Sequence, residues 1–366
     1  MKTRREFLIA TPSALLGAYA WALTPPAPVQ RSFSRNVREA ARQAPPTFAE
    51  LHFVTADPNF SDYRPAIDAS AQHVVFERTP AGGGRTKLYI LSLASGVAEL
   101  FVKPALDRSL MTGPVQTRPD WSWVTGQVVL DVAASNDSGP RAVLIVHPDG
   151  SPVANVPNSR GYVYPTWSPD GTQLIVYNGT VNANPQPCTS LIGLDGTVVT
   201  LNLNGTDASG ALIFGGFASP TPGNVNLIAY AGQPDVYGWG PDVTGGYNQD
   251  YNYVFVNAEN NGVFTSAPLE SDASIKIYDP SHQGRAPVWS PDGNYVAFES
   301  DRAGGYAIFL ANVTAGTAPV QITDASYGAQ HPKFYPDQTK LILTAYQLPS
   351  GSGPRGIAWV DISSYL

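Results

Sequence analysis

The stretch Tyr164–Gly179, YPTWSPDGTQLIVYNG, returns almost unchanged 122 residues later (286−164) as Ala286–Asp301, APVWSPDGNYVAFESD. Each copy reads as a strand ending on Trp, a tight reversal, and a second apolar strand. Pro and the Asp-Gly pair supply the reversal: glycine accepts a positive φ, and the aspartate side chain can bond the turn backbone. Such a sentence written twice marks a repeated supersecondary unit, so further copies are the first thing to seek.

Three more are RPAIDASAQHVVFERT from Arg64, RPDWSWVTGQVVLDVA from Arg118 and HPKFYPDQTKLILTAY from His331. A degenerate sixth, FGGFASPTPGNVNLIAYA, begins at Phe214. With Pro65, Pro119, Pro165, Gly215, Pro287 and Pro332 as markers, successive differences are 54, 46, 50, 72 and 45 residues, the period of a propeller blade. Third strands follow at KLYILSL from Lys87, RAVLIVHP from Arg141, TSLIGL from Thr189 and YAIFLANV from Tyr306, and a fourth at PVQITD from Pro319. The units therefore read as four-stranded antiparallel sheets. The last one lacks a fourth strand after GIAWVDI, whereas LHFVTADPNFSDYRPA from Leu51 aligns with PVQITDASYGAQHPKF from Pro319. The fold class expected is all-β: a six-bladed β-propeller whose N-terminal strand completes the last blade and leaves no open sheet edge. Trp121, Trp167 and Trp289, with Phe217 and Phe334 at matching places, are expected to fill the spaces between sheets. Asp170 and Asp292 read as turn formers, because a turn used in every blade solves a folding problem common to every blade.

These repeats resemble the WD-type propeller repeats of TolB, shared with the propellers of prolyl oligopeptidases and dipeptidyl peptidases. The resemblance covers roughly Leu51–Leu366. It implies six blades, and TolB is a periplasmic, protein-binding component of an envelope complex. Two departures stand out: the residues before Leu51 leave no room for the N-terminal α/β domain of TolB, and no Gly-x-Ser-x-Gly elbow marks a peptidase nucleophile.

Composition agrees with one large β-domain. Hydrophobic residues make up 43% of the 366, charged ones 14%, and 34 Gly with 33 Pro punctuate short apolar runs. A net charge of −7 argues against gripping nucleic-acid phosphates, which takes clustered Lys and Arg. Cys188 is the single cysteine, so no intrachain disulfide or Cys-rich metal site exists, and it reads as incidental. The opening MKTRREFLIATPSALLGAYAWA reads as an export signal over residues 1–22. It has a basic start, a modest apolar run broken by Pro12, and a twin-arginine-like Thr3-Arg4-Arg5-Glu6-Phe7-Leu8. Residues 23–49 read as a linker and 50–366 as the propeller. The expectation is a periplasmic monomer with no membrane span after signal removal.

Function is sought on the face carrying the loops between fourth and first and between second and third strands. Arg64, Arg118, Tyr164, Phe214, Ala286 and His331 precede the markers and are expected to start the innermost strands. With Arg285 beside them, two arginines and a protonatable His331 would place positive charge at the channel mouth, suited to a carboxylate, a phosphate or an acidic peptide. The opposing reading is that these groups pair with nearby acids such as Asp62 and Asp120. The segment Gly232–Gly262, between the second and third strands of blade four, carries Tyr237, Trp239, Tyr247 and Tyr251, suited to a protein partner or a glycan. A non-enzymatic binding module for an envelope protein or peptide, or a glycan, is the first reading, with no cofactor. The second is a polysaccharide lyase or hydrolase, since oligogalacturonate lyases use a similar repeat and a metal held by His and Gln. His282, Gln283, Gln330 and His331 are the residues that could meet for it.

Overall fold

The structure is a computed structural model and describes residues 48–103, 113–133, 141–178, 188–234, 253–269, 283–316, 318–349 and 351–366. The signal segment, the linker up to residue 47, Tyr237, Trp239, Tyr247, Tyr251 and His282 lie outside these residues.

A two-residue strand β1 (His52–Phe53) opens the described chain, and six four-stranded antiparallel sheets follow in order. Blade one holds β2 (Phe60–Ile67), β3 (His73–Pro80), β4 (Lys87–Ser92) and β5 (Ala98–Leu100). Blade two holds β6 (Val115–Trp121), β7 (Val128–Ala133), β8 (Arg141–Val146) and β9 (Pro152–Asn155). Blade three holds β10 (Tyr162–Trp167), β11 (Gln173–Asn178), β12 (Cys188–Gly193) and β13 (Val198–Thr200). Blade four is built from β14 (Ile213–Thr221), β15 (Asn224–Pro234), β16 (Tyr253–Asn260) and β17 (Val263–Pro268), and blade five from β18 (Gly284–Trp289), β19 (Tyr295–Ser300), β20 (Ala307–Asn312) and β21 (Val320–Gln321). Blade six has β22 (Gln330–Phe334), β23 (Lys340–Tyr346) and β24 (Arg355–Asp361), and β1 pairs with β24 through His52 opposite Trp359 and Phe53 opposite Ala358. The expected closure is therefore present. The Val54 and Thr55 amides add bonds to the Ile357 carbonyl at 2.8 and 3.2 Å, and the Thr55 hydroxyl accepts the Ile357 amide at 2.8 Å.

Second strands are buried along their length rather than on alternate residues: all six residues of β7 are buried, as are the middle four of β11. A blade is covered on both faces by its neighbours, so both faces of its inner strands need apolar side chains. Each of the six interfaces has its own hydrophobic cluster. Trp121 lies between blades one and two, Trp167 between two and three, Trp289 between four and five, and Phe334 between five and six. Between blades six and one, Ile67 packs with Phe76, Tyr335 and Ile357.

The interface of blades three and four corrects the sequence expectation for Phe217. It is filled by Tyr230, Tyr253 and Phe255, with the Tyr230 hydroxyl donating to Ser266 Oγ at 2.8 Å. The register of blade four is set by Phe217, not Gly215, so the marker interval before it is 53 residues (217−164) and the one after it 69 (286−217). Long β15 and β16 also take up much of the segment read as an insertion: 232–234 belong to β15 and 253–260 to β16, including Glu259. Only 235–252 of that segment is left outside the described residues.

The repeated turn is closed from within. In 168–173 the Gly171 amide donates to the Ser168 carbonyl at 2.9 Å, and Asp170 Oδ1 accepts the Ser168 hydroxyl at 2.5 Å and the Thr172 amide at 3.0 Å. The Ser168 hydroxyl oxygen in turn accepts the Gln173 amide at 2.9 Å. The same pattern recurs around Ser290, Asp292 and Asn294. Gly171 has φ +71°, and a Cβ there would stand 2.7 Å from Thr125 of the preceding blade's turn. Asp170 and Asp292 are thus spent on turn geometry, and these bonds hold both carboxyls below the usual range even against partial burial.

Candidate binding site at the channel mouth

In each first strand the register breaks at one residue with left-handed backbone. These are Arg64 (φ 46°), Arg118 (56°), Tyr164 (53°), Phe217 (56°), Ala286 (47°) and His331 (54°). A bulge of this kind re-aims its side chain. The bulges lie within the first strands rather than at their starts, and in blade four the position belongs to Phe217, not Phe214. All six residues line one narrow waist of the channel, about 80 Å³ in volume.

The second strand of a blade holds the bulge of the next blade. Glu77 Oε1 accepts the Arg118 amide at 2.7 Å, Asp131 Oδ2 the Tyr164 amide at 3.2 Å, and Glu299 Oε2 the His331 amide at 2.8 Å. Thr344 Oγ1 accepts the Arg64 amide at 3.0 Å, which carries the relay across the closure. In Glu77 and Glu299 the other oxygen takes a cation, while Arg118 spans both oxygens of Asp131. Arg64 Nη1 lies 2.9 Å from Glu77 Oε2, Arg118 Nη1 3.1 Å from Asp131 Oδ2, and Arg285 Nε 3.0 Å from Glu299 Oε1. Asp131 also accepts from Arg141 and from the Thr117 hydroxyl. The cations of the mouth are thus paired, but with Glu77, Asp131 and Glu299 from second strands. Asp62 pairs with Arg78, and Asp120 with Lys333.

This pairing is unequal. Glu77, Asp131 and Glu299 are 3, 0 and 0 % exposed, and each of their oxygens already accepts at least one bond. Arg64, Arg118 and Arg285 keep 29, 19 and 25 % of their side chains exposed. Among the described residues, Arg64 and Arg118 bond through Nη1 alone and Arg285 through Nε alone, out of five N–H donors each. Arg355, behind them, bonds only the Gly328 carbonyl and Gln330 Oε1 and stacks on Tyr346, 4.0 Å from the ring centre. Arg64, Arg118, Arg141 and Arg285 share three buried carboxylates, so guanidinium donors outnumber the carboxylate acceptor sites. Burial works against the charge of Arg64 and Arg118, but Glu77 and Asp131 outweigh it and raise both guanidiniums above their ordinary value.

His331 is not the imidazolium the sequence suggested. Burial, followed by Arg64, Arg285, Arg355 and Arg118, pushes it well below the ordinary histidine value, with Glu299 Oε2 3.4 Å from its Nδ1 as the one opposing charge beside it among the described residues. Tyr164 does reach the site: the Arg118 guanidinium lies 4.0 Å from its ring centre, and the Phe217 ring 3.9 Å on. A Cβ on Gly216 would fall 2.5 Å from the Tyr177 ring, so glycine lets that aromatic corner close. Beyond the bulges lies a cavity of about 400 Å³ at the mouth, lined among others by Thr79, Thr86, Tyr164 and Phe217. In the other direction Lys333 of blade six reaches Asp120 of blade two at 2.8 Å, a bridge across the waist. Past it, on the turn face, lies a separate cavity of about 300 Å³ lined by Trp121, Trp123, Trp167 and Trp289.

The expected meeting of His282, Gln283, Gln330 and His331 includes His282, outside the described residues, and both glutamines bond elsewhere. The Gln283 amide donates to Asp301, and its side-chain oxygen accepts from Tyr306, while Gln330 is held by Arg355. Among the described residues no group of three His, Cys, Asp or Glu is placed to hold a metal ion, and no helix is long and apolar enough to cross a membrane. Cys188 begins β12 rather than sitting in a loop; it is buried and its thiol is pushed up to about 11 by burial, so it is inert. Legible in advance were Arg64, Arg118, Tyr164, Arg285 and His331. Missed were Glu77, Asp131 and Glu299, whose signal was an acidic residue inside an otherwise apolar second strand.

No family model matches the chain. An uncharacterised protein of Agrobacterium fabrum is 26% identical over 212 residues, 53% of this chain and 69% of that one. An uncharacterised peptidase of Bacillus subtilis is 40% identical over 58 residues, 16% of this chain and only 9% of its own length. Among solved structures, the tricorn protease matches at TM-score 0.53 and 15% identity, covering 85% of this chain and 26% of that one. A gluconolactonase of Xanthomonas campestris matches at 0.52 and 12%, covering 86% and 90%. TolB from Acinetobacter baumannii matches at 0.35 and 13%, covering 84% and 56%. The chain is a six-bladed propeller, and at these identities the structural likeness speaks to fold alone.

Proposed function

We propose that this chain is exported to the periplasm and acts there as a non-enzymatic binding module that takes an anionic, acceptor-rich ligand in the channel mouth. The observation that carries this reading is the donor surplus: Arg64, Arg118 and Arg285 present unused N–H groups where every carboxylate oxygen is already engaged. Among the described residues, the Nε groups of Arg64 and Arg118 are buried without a partner, and the exposed guanidinium N–H groups beside them offer charged hydrogen bonds to a ligand oxygen. The basic twin-arginine-like start and the likeness of the repeats to those of TolB support export. A lyase reading gains nothing from the site, because a divalent cation near His331 would meet Arg64, Arg285 and Arg355.

Calorimetric titration with citrate at low salt tests the reading. The protein should bind one citrate, more weakly as salt rises. The double variant Arg64→Gln/Glu77→Gln, which removes one cation and its partner together, should weaken binding about 10-fold or more while keeping the fold. Equal citrate binding by both proteins would reject the mouth as the site.

A further inference from the structure

We infer that the ligand of the mouth is the carboxyl terminus of a peptide whose last residue carries an apolar side chain. This rests on the anion-binding reading above and narrows it to one ligand class.

Three features select a chain end of that sign. Below the mouth the Lys333–Asp120 bridge crosses the channel. A continuous chain or a loop cannot pass such a stop, whereas a terminus can run up to it. The surplus at that depth is of guanidinium donors, which match a carboxylate bidentately and repel an ammonium. The walls are also unlike. Blades one and five bring Arg64 and Arg285, whereas blades three and four bring the Tyr164 and Phe217 rings, 3.9 Å apart. A carboxylate on the first pair leaves the adjoining side chain against the second.

The same accounting disfavours an acidic sugar. A glycan presents many hydroxyl donors, and the carboxylates that would receive them are buried, with every oxygen already bonded by the Arg118, Tyr164 and His331 amides or by the arginines. A peptide end asks for less. Its last amide needs one acceptor, and the Thr79 and Thr86 hydroxyls, bonded to each other at 2.8 Å on the mouth wall, keep lone pairs to offer.

The test is competition calorimetry on the whole protein with acetyl-Ala-Ala-Phe as free acid and as amide, acetyl-Ala-Ala-Asp-amide, trigalacturonate and inorganic phosphate. The free acid should bind, and amidation should weaken it about 10- to 150-fold, the range for losing a charged hydrogen-bond partner. Phe217→Ala should weaken the Phe-ended acid more than acetyl-Ala-Ala-Ala. Equal binding of acid and amide overturns the inference, as does tighter binding of trigalacturonate or of the side-chain carboxylate. Binding of phosphate or trigalacturonate alone, abolished by Arg64→Gln/Glu77→Gln, would sink the peptide end and leave the anion site standing. Silence from all five ligands would sink both.

Discussion

Among the described residues, six sit at φ between 46° and 56° inside strands, and none is glycine. Left-handed backbone costs an ordinary residue about 1–2 kcal/mol, so six such positions need support, and in four of them a side chain from the previous blade bonds the strained amide. The support explains the acids in second strands: Glu77, Asp131 and Glu299 hold backbone first and cations second. From the sequence, the arginines could be read as a charged ring because their spacing repeats. Their partners could not, because the pairing runs from one blade to the next. His331 shows the same limit: burial and the positive charge around it, which lower its pKa, come from the closed ring, the arginines standing on blades one, two, five and six. Its pKa lies below the unfolded value of about 6.5. Its contribution to stability is therefore complete above pH 6.5 and is lost as pH falls below that value toward the folded pKa, because the unfolded chain takes up a proton that the folded one refuses. The melting temperature should fall between pH 7 and pH 5, and His331→Asn, which suits left-handed backbone, should flatten that slope. An unchanged slope in the variant would mean that His331 is protonated in the fold.

At the scale of the strand, the periodicity of the turn carried nearly everything. WSPDG located blades two to six by its copies or their remnants, and the alignment of LHFVTADPNF with PVQITDASYG found β1 as the missing strand of blade six. Blade four was misregistered because it lacks the landmark: Pro220 stands where the other blades place Trp, Phe or Ile, and Tyr230 and Tyr253, from its second and third strands, fill the gap instead. An interface needs a volume filled, and the sequence does not say which strand fills it. The closing strand is short, so its worth can be measured. A chain starting at Asp57 loses the β1–β24 pairs, the Val54 and Thr55 bonds to Ile357, and the stacking of His52 on Trp359 at 4.1 Å. It also bares the edge of β24. That truncation should melt at least about 5 °C lower and less cooperatively, or aggregate. A melt indistinguishable from that of the whole protein would show that the ring does not need its N-terminal clasp.

For the whole molecule, the ring of blades turns one acidic chain into a body with a cationic mouth. The net charge of −7 concealed this, because the arginines are gathered only when six first strands meet. The Lys333–Asp120 bridge is likewise a property of the closed ring, since its partners lie 213 residues apart. Repeats specified the architecture, whereas the ligand is specified by hydrogen bonds left over after the fold has taken its share. The most direct measurement is a crystal structure of the protein soaked with p-iodobenzoate, a carboxylate on a flat apolar ring whose iodine is located by anomalous scattering. The carboxylate should lie on Arg64 and Arg285, with the ring against Tyr164 and Phe217 and the iodine in the mouth. Iodine found only among Trp121, Trp167 and Trp289 on the turn face, with the mouth arginines uncontacted, would contradict the account.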